Sequence, residues 1–145
     1  MQEVSVVIPN FNGMAYLDGV LSSLERQTIR NFEVILVDNG STDGSCAFVS
    51  AEYPWVHMIQ LPENYGFSRA VNEGIHAARS PYVILLNNDT EAEPDFLEEM
   101  VADLRRHKKA FSCQARMILL HDSDMMDDAG YYYCALGWAF ARGKG

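Results

Sequence analysis

Four polar segments of this sequence carry more carboxylates and amides than turns and helix caps require. The segments are residues 9–13, 38–44, 63–69 and 87–90. Each alone has a structural interpretation, because Asn-Gly and Asp-Gly favour turns and Asp43 or Ser68 would cap the helix that follows. Together, their oxygen and nitrogen atoms are able to bind a polar ligand, and the carboxylates a hard divalent cation. That chemistry requires a fold that brings the segments to one place.

Apolar patterns predict the elements that position these segments. Short runs rich in β-branched residues predict strands at residues 4–8, 32–37, 56–61, 82–86 and 111–120. Apolar spacings of three and four predict helices between them. Their expected buried faces are Met14, Leu17, Leu21 and Leu24 in the first helix, Phe67, Val71, Ile75 and Ala78 in the third, and Phe96, Leu97, Met100, Val101 and Leu104 in the fourth. A short second helix is predicted at residues 44–51, and Pro94 opens the fourth.

Strict alternation of strand and helix predicts an α/β fold with a mostly parallel sheet and helices on both faces. In such a sheet the carboxyl ends of the strands meet at one edge, where ligands of open α/β folds bind. Three of the polar segments directly follow predicted strands, and residues 63–69 lead into the third helix. We therefore predict one site, built from all four segments, at that edge of the sheet.

Composition excludes several classes of function. Eleven Lys and Arg residues stand against twenty Asp and Glu residues, a net charge of −9, so the chain is not expected to bind nucleic acid. The three cysteines are far apart and predict free thiols rather than disulfides or a zinc site. We expect no signal peptide and no membrane span, which places the protein in the cytosol.

The pattern changes after residue 120. Residues 122–128 are mostly acidic and predict a solvated loop, in preference to a second metal site with His121. The rest of the tail, residues 121–145, is rich in Tyr, Trp, Phe and Met and shows no helical period. We therefore predict two parts, a ligand-binding α/β domain at residues 1–120 and the incomplete start of another region at residues 121–145.

The polar segments and their flanking strands resemble the motifs of the family-two glycosyltransferases. The matching runs are VSVVIPNFN at residues 4–12, QT at 27–28, FEVILVDNGSTDG at 32–44, NYGFSRAVN at 64–72 and LLNNDT at 85–90. Their order and spacing agree with the family from about residue 3 to residue 106. The Asn-Asn-Asp-Thr form most resembles the rhamnosyltransferase-like branch, which uses dTDP-sugars. The resemblance implies a GT-A, Rossmann-like fold, cut off here before its acceptor-binding half.

The resemblance also implies a function and a set of nucleotide contacts. Such an enzyme moves a sugar, with inversion, from a UDP- or dTDP-sugar to a glycan, lipid or other acceptor. Asp38 resembles the Asp that accepts the N3–H of uracil or thymine, a donor that cytosine lacks. The other implied nucleotide-binding residues are Pro9, Asn10, Asn12, Asn39, Asn64, Gly66, Arg69 and Asn87.

Asp89 resembles the last Asp of the family's D-x-D metal motif, which implies Mg²⁺ or Mn²⁺ as cofactor. A divalent cation that bridges the diphosphate stabilises the charge that develops on the leaving group. Asn87 stands where the first carboxylate of that motif is usual, so the site has one charge fewer. An amide still offers one neutral oxygen or a hydrogen bond to ribose.

The resemblance places the general base downstream of Gly145, so no catalytic residue is expected within the chain. Most of the binding region for a saccharide or lipid-linked acceptor is expected there too. Exposed aromatic residues in the tail predict either poor order or self-association as a symmetric dimer. The full-length protein is expected to act in cell-wall or polysaccharide biosynthesis, in the cytosol or at the inner face of the membrane.

Three other functions would each require particular sequence features. A non-enzymatic module that binds nucleotide sugars or a partner would carry the same residues, and the sequence downstream of Gly145 would distinguish it. A nucleotidyltransferase needs a basic, Gly-rich loop after the first strand, and residues 10–13 contain no Lys or Arg. A phospho-accepting receiver domain needs paired acids there, where Pro9 and Asn10 stand instead.

Overall fold

The computed structural model describes residues 2–119 and the backbone of three further strands between residues 122 and 141. The chain forms two units, Met1–Leu97 and Glu98–Gly145. The predicted boundary at residue 120 separates the ligand-binding domain from the start of another functional region, and it stays a prediction.

The first unit contains a four-stranded parallel sheet. Its strands are β1 (Val4–Asn10), β2 (Phe32–Asp38), β3 (His57–Gln60) and β4 (Tyr82–Leu85), in the order β3-β2-β1-β4. The helices are α1 (Met14–Glu25), α2 (Ser45–Glu52), α3 (Phe67–Ala77) and α4 (Phe96–Arg106), the last crossing the boundary between the units. The predicted α/β class, with a parallel sheet flanked by helices, is confirmed.

The central strands are buried on both faces. Alternate residues of a strand point to opposite faces, yet Val6, Val7 and Ile8 of β1 are all fully buried, as are Ile35 and Leu36 of β2. Consecutive buried β-branched residues are typical of a parallel sheet that is covered on both sides. These two strands therefore form a rigid platform for the segments that follow them.

Strand register brings the carboxyl ends together. Asn10 and Asp38, the last residues of β1 and β2, lie opposite each other. Asp38 also lies opposite Gln60, the last residue of β3. Leu85, at the end of β4, pairs with Val7 of β1. The polar segments therefore begin side by side at one edge of the sheet, as the sequence predicts.

Helix α3 buries a face that only partly matches the predicted one, since Val71 is buried as expected and Phe67 and Ile75 are not. Ala70, Val71 and Gly74 are buried, whereas Phe67 and Ile75 are 62% and 39% exposed. The apolar spacing was misleading because the helix lies so close to the sheet that only small residues fit between them. A Cβ atom on Gly74 would overlap the Val7 Cγ1 atom and lie 3.1 Å from Val37 Cγ2.

We expect Gly74→Ala to lower the free energy of unfolding by about 1–3 kcal/mol. The destabilisation from overpacking the interface between α3 and the sheet should exceed the stabilisation from the higher helix propensity of alanine. Urea unfolding followed by circular dichroism measures the change. Gly19→Ala in α1 is the matched control, because a Cβ there meets only the Glu91 side chain, at 3.1 Å. Equal unfolding free energies for Gly74→Ala and the unchanged chain would contradict the close packing of α3.

Gln27 anchors the chain between β4 and α4 to the end of α1. The buried Gln27 side chain donates from Nε2 to the Glu93 carbonyl, at 2.7 Å, and accepts at Oε1 from the Leu97 N–H, at 3.0 Å. The Thr28 N–H donates to the Pro94 carbonyl, at 2.7 Å. These bonds satisfy backbone groups at the start of α4. They also restrain the segment that follows β4.

Two predictions for the second unit are wrong. The strand expected at residues 111–120 is limited to β5 (Met117–Leu119), and Phe111 is fully exposed, so its apolar side chain marks no buried face. The acidic residues 122–128 form β6 (Asp122–Asp128), which pairs with β5 in an antiparallel sheet. Whether a segment forms a strand depends on the neighbouring strand it pairs with, and this cannot be predicted from its charge composition. A second antiparallel pair joins β7 (Tyr131–Tyr133) to β8 (Ala139–Ala141).

Other predictions concern single features. Cys46 and Cys113 are free thiols as expected, and Cys134 lies outside the described residues. Among the helices described, none has the length and apolar character needed to cross a bilayer. The side chains of the tail, on which the predicted dimer depends, also lie outside the described residues.

Candidate functional site

A cleft of about 420 Å³ opens where β1, β2 and β4 end. Small-molecule sites usually measure about 300–1,000 Å³. Predicted site residues that line the cleft are Pro9, Asn10, Asn39, Asn64, Gly66, Asn87 and Asp89. The structure thus brings together residues from all four polar segments, which lie far apart in the sequence.

Asp38, the last residue of β2, is 2% exposed and precedes Asn39 of the cleft lining, but Asp38 itself is outside that lining. Its Oδ1 atom accepts a hydrogen bond from Asn10 Nδ2, at 2.9 Å, and its Oδ2 atom accepts from the Ser41 N–H, at 2.9 Å. Burial acts to raise the pKa of Asp38, but hydrogen bonds from Ser41, Asn10 and Cys46 outweigh burial and hold it below its ordinary value. Asp38 is therefore an ionised acceptor, and a carboxylate has lone pairs for further donors.

Cys46 contacts the same carboxylate. Burial, together with the hydrogen bond to Asp38 and the negative charge of Asp38, raises the pKa of the Cys46 thiol to about 11. The thiol is therefore neutral at physiological pH and acts as a donor to Asp38. Sequence analysis identified Cys46 only as a free cysteine, because nothing in the spacing indicated this contact.

Two residues connect the segment after β2 to the start of α1. The Asn12 N–H donates to Ser41 Oγ, at 2.8 Å, and Asn12 Oδ1 accepts from the Thr42 N–H, at 2.9 Å. Asp43 accepts from the Met14 N–H at the start of α1, at 2.9 Å, and caps α2 through Ser45. Asn12 lies outside the cleft lining, and its predicted contact with the nucleotide stays a prediction.

Asn39 connects the segment after β2 to the one before α3. The Asn39 side chain donates from Nδ2 to Asn64 Oδ1, at 2.8 Å, and to the Gly66 carbonyl, at 3.2 Å. Its Oδ1 atom accepts from the Tyr65 N–H, at 3.0 Å. Gly40 permits this approach, because its φ is +79° and a Cβ there would lie 2.7 Å from the backbone of residue 63. The Asn39 amide therefore shapes the cleft wall.

The segment after β4 presents an unengaged carboxylate to the cleft. Asp89 is exposed and lines the cleft, and within the described residues no hydrogen bond or ion pair engages its carboxylate. No group of three or more His, Cys, Asp or Glu side chains suited to a metal occurs in the described part of the chain. One carboxylate with the Asn87 amide beside it fits Mg²⁺ or Mn²⁺ only if phosphates and water supply the remaining ligands.

Arg69 lies away from the cleft lining. Its Nε atom pairs with Glu73 Oε1, at 2.6 Å, and its guanidinium lies 6.0 Å from the centre of the Tyr65 ring. Because 64% of the Arg69 side chain is exposed, the ion pair is weak and the side chain can exchange partners at little cost. The predicted contact of Arg69 with a nucleotide stays a prediction.

Four residues that line the cleft, Phe11, Phe67, Ala70 and Asn88, were not identified as site residues from the sequence. Phe11 and Phe67 are exposed by 47% and 62%, and Asn88 lies between the predicted Asn87 and Asp89. An aromatic residue inside a polar segment was an available signal, because small-molecule sites are commonly lined by aromatic side chains. Phe67 was instead assigned to the buried face of α3, where the spacing placed it.

Comparison with known proteins agrees with this architecture. The model of the family described as glycosyl transferase family 2 matches residues 5–124. TuaG of Bacillus subtilis, named as an inferred teichuronic acid biosynthesis glycosyltransferase, is 29% identical over 128 residues, 86% of this chain and 50% of TuaG. The undecaprenyl-phosphate 4-deoxy-4-formamido-L-arabinose transferase of Aeromonas hydrophila is 35% identical over 105 residues, 68% of this chain and 32% of that protein.

A solved structure is similar over the same region. The crystal structure of S. aureus TarS 1-349 in complex with UDP-GlcNAc is 26% identical to this chain, with a TM-score of 0.67. The match covers 74% of this chain and 32% of TarS 1-349. The chain therefore spans half the length of TuaG and about a third of the other two proteins. Because the family match extends over residues 5–124 of 145, the chain belongs to glycosyl transferase family 2.

Proposed function

We propose that the full-length protein is an inverting glycosyltransferase and that this chain binds its donor, a UDP- or dTDP-sugar. The observation that carries the proposal is the buried Asp38 carboxylate, which hydrogen bonds from Asn10 and Ser41 keep ionised, together with a cleft of nucleotide size lined by Asn10 and Asn39. Family membership and the UDP-GlcNAc bound by TarS support a nucleotide-sugar donor.

Base recognition follows from the chemistry of this acceptor. The N3–H of uracil or thymine donates to Asp38, whereas the N3 of cytosine is an acceptor and would face the carboxylate without a proton between them. The exposed rings of Phe11 and Phe67 offer aromatic surface to a base at the mouth of the cleft. Asn64 and Gly66, which accept hydrogen bonds from Asn39, also line the cleft.

Asp89 is the residue that would hold a Mg²⁺ or Mn²⁺ ion, with Asn87 as a neutral oxygen ligand. When bound, the ion supplies positive charge that neutralises the diphosphate as the sugar leaves. Asp89 is unengaged among the described residues, so it is free to take a ligand without first breaking an ion pair.

The remaining parts of the proposal concern the whole protein. The general base and most of the acceptor site lie outside this chain, and the acceptor is a saccharide or a lipid-linked group. The names of TuaG and of the undecaprenyl-phosphate transferase support a role in cell-wall or polysaccharide biosynthesis. The Asn-Asn-Asp-Thr segment favours the rhamnosyltransferase-like branch and a dTDP-sugar, and the enzyme acts in the cytosol or at the inner face of the membrane.

A matched pair of aromatic substitutions tests the donor site. We expect Phe11→Ala to weaken UDP binding about fivefold or more, because stacking of one base on an aromatic side chain is worth ~1–3 kcal/mol. Tyr16→Ala should leave it unchanged, since Tyr16 is 55% exposed on α1 and lies outside the cleft lining. Calorimetric titration of the purified chain with UDP and with dTDP measures both. Failure of the unchanged chain to bind either nucleotide, or an equal loss in both variants, would contradict the proposed site.

A further inference from the structure

A chain of side-chain amides joins the segment that carries Asp89 to the buried Asp38. Asn88 Nδ2 donates to Asn10 Oδ1, at 2.8 Å. Asn10 Nδ2 in turn donates to Asp38 Oδ1, at 2.9 Å, and to Ser41 Oγ, at 3.3 Å. Asn10 lines the cleft but is only 2% exposed, and both ends of its amide are engaged by protein partners. Its contribution to a ligand is therefore indirect, through Asp38.

The direction of the Asn10 amide is what matters for Asp38. An amide has an acceptor end and a donor end of nearly the same shape, and only its partners decide which end faces which way. Because Asn88 donates to the oxygen of Asn10, the NH₂ group of Asn10 must face the carboxylate. A reversed amide would place its oxygen against Asp38, and two acceptors would repel each other. Asp38 as an acceptor and Asn88 as a donor thus require the same direction of the Asn10 amide, and Asn88 holds the amide in place from its oxygen end.

Gly13 provides the space for this pair. A Cβ atom on Gly13 would overlap both Asn88 Nδ2 and Asn10 Oδ1, the two atoms that share the hydrogen bond. The backbone at Gly13 has a φ of −103° and a ψ of 20°, a conformation that alanine also adopts. The absence of a side chain at residue 13 therefore serves the amide pair, since the backbone conformation does not require glycine.

We propose that Asn88 is a positioning residue that holds the Asn10 amide against Asp38 and thereby supports base selection by Asp38. This inference rests on the proposed function, since it assumes that Asp38 accepts the base. It makes the segment that carries the cation-binding Asp89 part of the base-recognition site. Nucleotide specificity then depends on a residue whose hydrogen bond reaches Asp38 only through Asn10.

The test is the ratio of UDP to CDP affinity, measured by calorimetry without metal for the purified chain. Asn88→Ala removes the donor, and Gly13→Ala separates the pair while leaving both amides in place. We expect the ratio to fall about fivefold or more in both variants, because each takes the donor away from the buried Asn10 oxygen and leaves the amide free to shift from its position against Asp38. Asn72→Ala, at an exposed position of α3, and Gly19→Ala in α1 are the matched controls and should keep the ratio of the unchanged chain.

A double substitution separates positioning from a general effect on folding. In an Asp38→Asn background, Asn88→Ala should change the ratio no further, because its effect passes through Asp38. A preserved ratio in Asn88→Ala and Gly13→Ala, or an equal loss of affinity for UDP and CDP, would overturn the positioning role and leave the proposed function standing. Equal affinities for UDP and CDP in the unchanged chain would overturn the base-recognition role of Asp38, and the inference with it.

Discussion

Replacing Asp38 by asparagine should abolish the preference of this chain for uracil and thymine nucleotides over cytosine nucleotides. We expect the unchanged chain to bind UDP or dTDP at least about tenfold more tightly than CDP, or ~1.4 kcal/mol, because CDP leaves a buried acceptor without a donor. In Asp38→Asn the side chain is similar in shape and can donate as well as accept, so UDP and CDP should bind within about twofold of each other.

Calorimetric titrations with UDP, dTDP and CDP in the absence of metal measure this preference. Glu52→Gln is the control, since it removes one negative charge at an exposed position of α2 and should keep the preference. Hydrogen bonds hold the pKa of Asp38 below its ordinary value, so the carboxylate stays ionised and the preference should be constant across the neutral pH range. Equal affinities of the unchanged chain for UDP and CDP would remove Asp38 from base recognition.

The central part of the fold was predictable because burial dominates there. The apolar run at residues 4–8 predicted β1, and strand alternation predicted that the ends of β1 and β2 would meet, as Asn10 and Asp38 do. The face of α3 was only partly predictable from apolar spacing, because its position depends on the space left by Gly74 above Val7. Spacing records which residues are apolar, whereas the packed face also depends on how close the helix can approach.

The site was predictable at the level of segments and less so at the level of atoms. Topology was sufficient to place residues from four segments around one cleft. It was not sufficient to show that Asn10 and Asn39 use their amides on protein partners, because that depends on rotamers and on register to within one residue. Arg69 illustrates the same limit, since its partner Glu73 is one helical turn away and competes for the guanidinium.

Replacing Asp89 by alanine should abolish the gain in UDP affinity that Mn²⁺ provides. We expect metal-free binding to be nearly intact in Asp89→Ala, since its carboxylate is unengaged among the described residues. The increase in UDP affinity that is lost should be on the order of tenfold or more. Two unit charges about 4 Å apart attract each other by about 1 kcal/mol in water and by about 4 kcal/mol near a protein surface. Asn87→Ala should have a smaller effect, because it removes no charge.

Titrations with UDP, with and without Mn²⁺, measure the gain for each variant. Asp95→Ala is the matched control, since Asp95 is an exposed carboxylate before α4 that lies outside the cleft lining. Both substitutions remove one carboxylate from the segment between β4 and α4. Only Asp89→Ala removes it from the cleft, so the comparison isolates the effect of position. If Asp89→Ala kept the full Mn²⁺ gain, the ion would be bound by other residues. The single-carboxylate site proposed from Asp89 and Asn87 would then be wrong.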